Sequence, residues 1–159
     1  MAKFMKSILS IIIGIFISVS IHAESCIQFS EEIEAAVNIQ VNELRASEYC
    51  KARNLTSYEG IIIAIYTIKG ACKAHLELTP GTCGNNWQQY MISSINGVVV
   101  PPLQVGGKSQ LMVENIELNS LQIKVSGLTI GLKDALCCPS IPLSETYEIS
   151  TTKFTKLTP

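Results

Sequence analysis

The sequence predicts an α+β fold, with an N-terminal amphipathic helix packed on a curved, mostly antiparallel sheet of about six strands. Three observations carry this expectation. Ile33, Val37, Val41 and Leu44 recur at spacings of four, four and three, the period of one helix face. Ile61 to Ile68 is a β-branched run of the length of a buried strand. Asn96-Gly97 stands between two apolar segments, and both residue types tolerate the positive φ that a type I′ hairpin turn demands.

Taken in order, the helix starts at Ser30, whose hydroxyl can accept a hydrogen bond from a free backbone N–H. Glu31, Glu32 and Glu34 follow in the first turns, where the helix dipole favours negative charge. Glu43, Arg45, Glu48 and Lys51 fall off the apolar stripe, and the pattern runs to Arg53 and Asn54. The run Ile61 to Ile68 is the candidate central strand. Gly70 to Asn86 then reads as a long loop with Pro80-Gly81 at its tip, followed by a strand through Gln89-Tyr90-Met91-Ile92. Val98-Val99-Val100 returns after the turn, and Pro101-Pro102 is expected to end it by removing two backbone donors. Gly106-Gly107 makes another turn. Leu111 to Leu118 and Leu121 to Ile130 read as strands around Asn119-Ser120, and a last strand is expected from Thr146 to Ser150.

Residues Met1 to Lys6 carry two lysines, Ser7 to Ile21 form an uncharged, mostly apolar run, and Ala23 precedes the first acidic residue, Glu24. This is the anatomy of a cleaved export signal. The run is shorter than the ~20 residues a helix needs to cross a bilayer, so no permanent membrane anchor is expected. Residues 1–23 are assigned to the signal and 24–159 to one disulfide-stapled domain in the periplasm or outside the cell. Cleavage at Ala23 removes Lys3 and Lys6, which takes the formal charge from -1 to -3, with 10 Lys and Arg against 13 Asp and Glu. A chain with no basic field is not expected to bind nucleic acid.

All six cysteines, Cys26, Cys50, Cys72, Cys83, Cys137 and Cys138, follow the cut, and an even count in an exported chain marks disulfides. Of the possible pairings, sequence proximity favours Cys26 with Cys50 and Cys72 with Cys83, which leaves the adjacent Cys137 and Cys138. Adjacent cysteines bridge only through a small strained ring, so a redox or thiophilic-metal role at the pair stands beside the plainer reading of a structural staple.

Catalytic sets are hard to assemble, because the chain after the signal holds one histidine, His75, one aspartate, Asp134, and one tryptophan, Trp87. Gly107-Lys108-Ser109 resembles the end of a phosphate-binding loop, but Pro102 stands where that motif needs glycine. His75 and Glu77 near Cys72 and Cys83 lack metal-ligand spacing. The sequence therefore predicts no catalytic residues, no metal and no cofactor. Binding-surface candidates are His75, Trp87, Tyr90, Lys108 and Asp134, with the loop from Cys72 to Trp87 as the recognition segment, since tied loops carry recognition residues at low ordering cost.

Gly70-Ala71-Cys72, Pro80-Gly81-Thr82-Cys83-Gly84-Asn85, Val105-Gly106-Gly107-Lys108 and Asp134-Ala135-Leu136-Cys137-Cys138-Pro139-Ser140 together resemble a group of small exported bacterial proteins of uncharacterised function. The resemblance covers about Tyr58 to Ile149 and is most specific at the Asp-x-x-Cys-Cys-Pro-Ser segment. It implies a periplasmic or secreted setting and a bond between Cys137 and Cys138, and it supplies no reaction. The lipid-attachment motif of the lipoprotein members is missing here. The resulting expectation is a non-enzymatic binding protein, such as an inhibitor-like module, whose partner is a protein or an envelope component; the alternative is a thiol redox or metal-handling protein built on Cys137 and Cys138.

Overall fold

The computed structural model describes residues 26–135 and 137–158; the export signal assigned to residues 1–23 lies outside them. The described chain is mostly β: nine strands in two antiparallel sheets, with one helix, α1 (Glu31–Glu43). This corrects the α+β expectation of one sheet of about six strands under an N-terminal helix. The helix sits within the chain rather than at its start, and a second sheet replaces the single curved one.

Helix α1 stops well before Arg53. Arg45 turns into the left-handed region at φ 49°, while its N–H donates to the Asn42 carbonyl and the Ala46 N–H to that of Val41. A helix cannot continue through that conformation. Ser30 is the cap residue, but its hydroxyl makes no capping bond.

The first sheet is built on the long strand β3 (Ile61–Lys69). Along one edge of it run β1 (Ser47–Glu48) and β2 (Asn54–Tyr58), separated by a 3-10 turn at Cys50–Ala52. On the other side lie β4 (Trp87–Ile95) and β5 (Val98–Gly107). The β4–β5 hairpin turns at Asn96-Gly97 with φ of 50° and 84°, the type I′ signature. Strand β5 does not end at Pro101-Pro102. It runs through both prolines because it is an edge strand, and the register shifts by a bulge between Met91 and Ser93 where they sit.

The second sheet is a meander of β6 (Met112–Asn119), β7 (Gln122–Thr129), β8 (Ile141–Ile149) and β9 (Phe154–Leu157). The last strand pair therefore starts earlier and ends later than Thr146 to Ser150.

Two layers on the first sheet follow from β3 itself. Its odd positions Ile61, Ile63 and Ile65 join Met91 and Val100 against Val113, Ile116, Ile123, Val125 and Tyr147 of the second sheet. Its even positions Ala64, Tyr66 and Ile68 join Tyr90 and Ile92 under Ile33 and Val37 of α1. A strand apolar on both faces needs two covers, and one short helix covers only one of them. Gln89 stitches the two sheets together: its side-chain amide donates to the Val113 carbonyl at 3.1 Å and accepts from the Val113 N–H at 2.7 Å.

Candidate functional site

The face of the first sheet that packs on the second changes character toward one end. On β3 the series Ile61, Ile63, Ile65 continues as Thr67 and Lys69; on β4 the residues of the same face are Met91, then Gln89 and Trp87. Thr67 pairs with Gln89 and Lys69 with Trp87 across the two strands. The core thus opens into a polar, aromatic end that three loops enclose.

The first is the segment from Gly70 to Asn86. Gly70 has φ 63°, its N–H donates to the Asn86 carbonyl, and the Cys83 N–H donates back to the Gly70 carbonyl. A Cβ at Gly70 would collide with the Gly81 carbonyl, so the loop's two ends cross at a point only glycine permits. Cys72 and Cys83 are bonded there. The Arg45 guanidinium donates to the Leu76 and Leu78 carbonyls at 3.0 and 2.7 Å, and the Gly81 N–H donates to the Arg45 carbonyl. These contacts seat the loop on the turn that follows α1.

The second is the β5–β6 turn. Lys108 donates its backbone N–H to the Trp87 carbonyl and its ammonium to Asn85 Oδ1 at 2.7 Å, which ties this turn to the first loop.

The third, residues 130–140, carries the bonded pair Cys137 and Cys138. It is organised by Asp134, whose carboxylate accepts the N–H groups of Gly131 and Ser140 at 2.8 and 2.9 Å and the Ser140 hydroxyl. The Gly131 N–H, then the Ser140 hydroxyl, hold the Asp134 carboxyl below its ordinary value of 3.8. A depressed carboxylate contributes its order above the unfolded value and loses it as pH falls through the folded one. The Gly131 and Ser140 amide resonances are therefore expected to hold their positions above pH 3.8 and to move toward random-coil shifts in more acid solution. In Asp134→Asn that pH dependence should vanish, which an NMR titration checks.

Two cavities meet at this end. One, of about 420 Å³, lies between the β5–β6 turn and the 130–140 loop, with Asn85, Trp87, Lys108, Met112 and Cys137 on its walls. The other, of about 570 Å³, has Tyr49, Thr67, Lys69, Trp87, Gln89 and Met112. Asn85, Trp87 and Met112 line both, so the two cavities adjoin at these residues as a two-part trough with Trp87 on the wall of each part. Both volumes fall in the range of small-molecule sites, ~300–1,000 Å³. Among the described residues, no Asp or Glu lines either cavity, whereas Lys69 and Lys108 do.

Of the residues singled out from sequence, Trp87 and Lys108 come together here. Tyr90 does not: it faces α1, buried and stacked on Tyr66 at 5.8 Å between ring centroids, and burial pushes both phenols up. His75 stands exposed on the long loop, 3.4 Å from Glu77, and lines neither cavity. Asp134 lines neither cavity and holds the third loop through Gly131 and Ser140. Cys26 is bonded to Cys50, which fastens the segment before α1 to the 3-10 turn. Asn85 belongs to the loop expected to carry recognition, whereas Tyr49, Thr67, Lys69, Gln89 and Met112 were not foreseen as site residues. The available signal was the same-parity switch from Ile63 and Ile65 to Thr67 and Lys69 on one strand face. Scans against protein-family models, curated proteins and solved structures each found no match to this chain.

Proposed function

We propose that this chain is an exported, disulfide-stapled binding protein that engages a component of the bacterial envelope through the trough around Trp87, without chemical turnover. The observation that supports this reading is the trough's lining: an aromatic pair, Trp87 and Tyr49, with amides and ammonium groups, held by a tied loop. Such a lining orients and holds a ligand, because flat apolar surface supplies contact area and a few fixed polar groups supply direction. Among the described residues it offers no nucleophile with a neighbouring base. Cys137, bonded to Cys138, contributes to a wall, and a disulfide is not a thiolate ligand for metals.

Co-sedimentation of the mature protein with isolated envelope fractions tests the reading. The wild-type chain is expected to pellet with at least one fraction, and Trp87→Ala to do so about tenfold more weakly, the loss typical of a central aromatic anchor. A wild-type chain that pellets with no fraction, and that captures nothing from envelope extract or secreted hydrolases, would sink the proposal.

A further inference from the structure

We infer that the trough takes an acidic saccharide, a chain of pyranose rings bearing carboxylates, laid across Trp87 with Lys69 and Lys108 pairing to its charges. The inference rests on the binding reading above and names the ligand class of the same site.

Four features of the trough point to this chemistry. A pyranose presents an apolar C–H face and a rim of hydroxyls, and the half-buried Trp87 and the exposed Tyr49 offer flat faces with polar groups around them. Asn85 and Gln110 bring amides whose oxygens accept from Lys108 and Gln104, which leaves their NH2 groups to donate to ligand hydroxyls. An acyl chain would need an unbroken apolar lining, which Lys69, Gln89 and Lys108 interrupt.

The third feature is Thr67. Only 7% exposed, it lies on the floor of the larger cavity with no hydrogen-bond partner for its hydroxyl. A buried polar group left unpaired is costly, and rotation about χ1 would turn this hydroxyl to meet a ligand hydroxyl at the floor.

The fourth is the placement of charge. Lys69 lies across from Trp87 in the β3–β4 register, its ammonium 5.4 Å from the Tyr49 ring centroid, and Lys108, whose backbone N–H donates to the Trp87 carbonyl, donates its ammonium to Asn85 Oδ1. The two lysines thus line the two different cavities that share Trp87. Charges spread along an oligomer suit lysines in two separate cavities better than one compact anion does, and carboxylates gain charge-assisted hydrogen bonds from both lysines.

Carboxylate-bearing pyranoses come from two sources in an envelope, uronic-acid polymers and glycan strands containing muramic acid. Trigalacturonate, its methyl ester and the N-acetylglucosaminyl-N-acetylmuramic acid disaccharide are therefore the probes. Trp87 is the only tryptophan in the chain, so its emission reports the site directly, with titration calorimetry as the second readout. Saturable binding of at least one acid is expected, with the methyl ester about tenfold weaker, and with Lys69→Gln and Lys108→Gln each weakened about tenfold for loss of a charged hydrogen bond. Thr67→Val, which keeps the branched shape, is expected to weaken both acids about threefold to tenfold. Which acid binds identifies the source.

Equal binding of the ester, or variants at Lys69 and Lys108 that bind as the wild type does, would overturn the inference. So would heat-silent, emission-silent titrations with both acids. If Trp87-dependent co-sedimentation persists in that last case, only the ligand class falls; if it is lost too, the binding reading falls with it.

Discussion

Replacing Arg53 with alanine is expected to lower the unfolding free energy by about 4 kcal/mol, the scale on which removing one partner of a buried ion pair destabilises a domain. Arg53 is 9% exposed, and every N–H of its guanidinium is used. Nε and Nη2 donate to the two Glu48 oxygens at 2.7 Å each, Nη1 and Nη2 to the two Glu34 oxygens at 2.9 and 2.8 Å, and Nη1 also to the Ile27 carbonyl. The Phe29 ring lies 4.2 Å below the guanidinium carbon. One side chain thus joins the segment before α1, the helix itself, β1 and the 3-10 turn. Alanine would leave the Glu34 and Glu48 carboxylates facing each other with no cation between them. Lysine keeps the charge but not the planar fork, and is expected to recover less than half of the loss. Urea denaturation of the three proteins measures both effects, and a loss below about 1 kcal/mol, the worth of an exposed pair, would show that this cluster is not a clamp.

Arg53 also illustrates why part of the fold was hidden in the sequence. The helix start, the strand from Ile61 and the Asn96-Gly97 hairpin are local events, and local residue types announce them. The helix end is not local. The apolar stripe ends at Leu44 with no glycine or proline after it to mark a stop, and the chain leaves the helix because Arg45 adopts a left-handed conformation that neither glycine nor asparagine marks. Strands β1 and β2 are short and polar, and exist through their pairing with β3. The number of sheets depends on what covers each face of a strand. Ile61 to Ile68 is apolar at odd and even positions alike, which demands two covering layers, but periodicity does not say that the second layer is another sheet.

The site was legible to the same extent. Trp87 and Lys108 stand out by residue type and by their loop setting. Tyr90 has the same chemistry as Tyr49, yet strand parity turns it toward the helix, and parity becomes usable only once the register of β3 on β4 is known. Thr67 and Lys69 look like the fraying end of a buried strand until that register puts them beside Gln89 and Trp87. Asp134 reads as a candidate ligand contact because it is the one aspartate; its hydrogen bonds to Gly131 and Ser140 make it instead the residue that shapes the loop around Cys137 and Cys138.

Removing the tie between Cys72 and Cys83 is the second change with a large expected effect. Cys72→Ala combined with Cys83→Ser is expected to lower stability by about 3 kcal/mol, since opening a loop with a sequence separation of 11 restores that much conformational freedom to the unfolded chain. The loss should concentrate in the loop. Cys72 is fully buried beneath the turn after α1, and Ala71 packs at the edge of the helix-side core, while the core between the two sheets holds no residue of the loop. Amide exchange is therefore expected to accelerate across residues 70–86 by more than a hundredfold, and far less in β3, β4 and β7. Arg45 would still reach for the Leu76 and Leu78 carbonyls, but against a segment free to leave them. The functional consequence follows from Asn85, which the loop holds against Lys108 on the trough's wall. A ligand would have to order that wall itself, at about 0.5–1.5 kcal/mol for each side chain immobilised, so affinity for envelope fractions should fall about tenfold even where the protein remains folded. A double variant that loses stability but binds as tightly as the wild type would show that the loop closes the fold and leaves recognition to Trp87 and the strands alone.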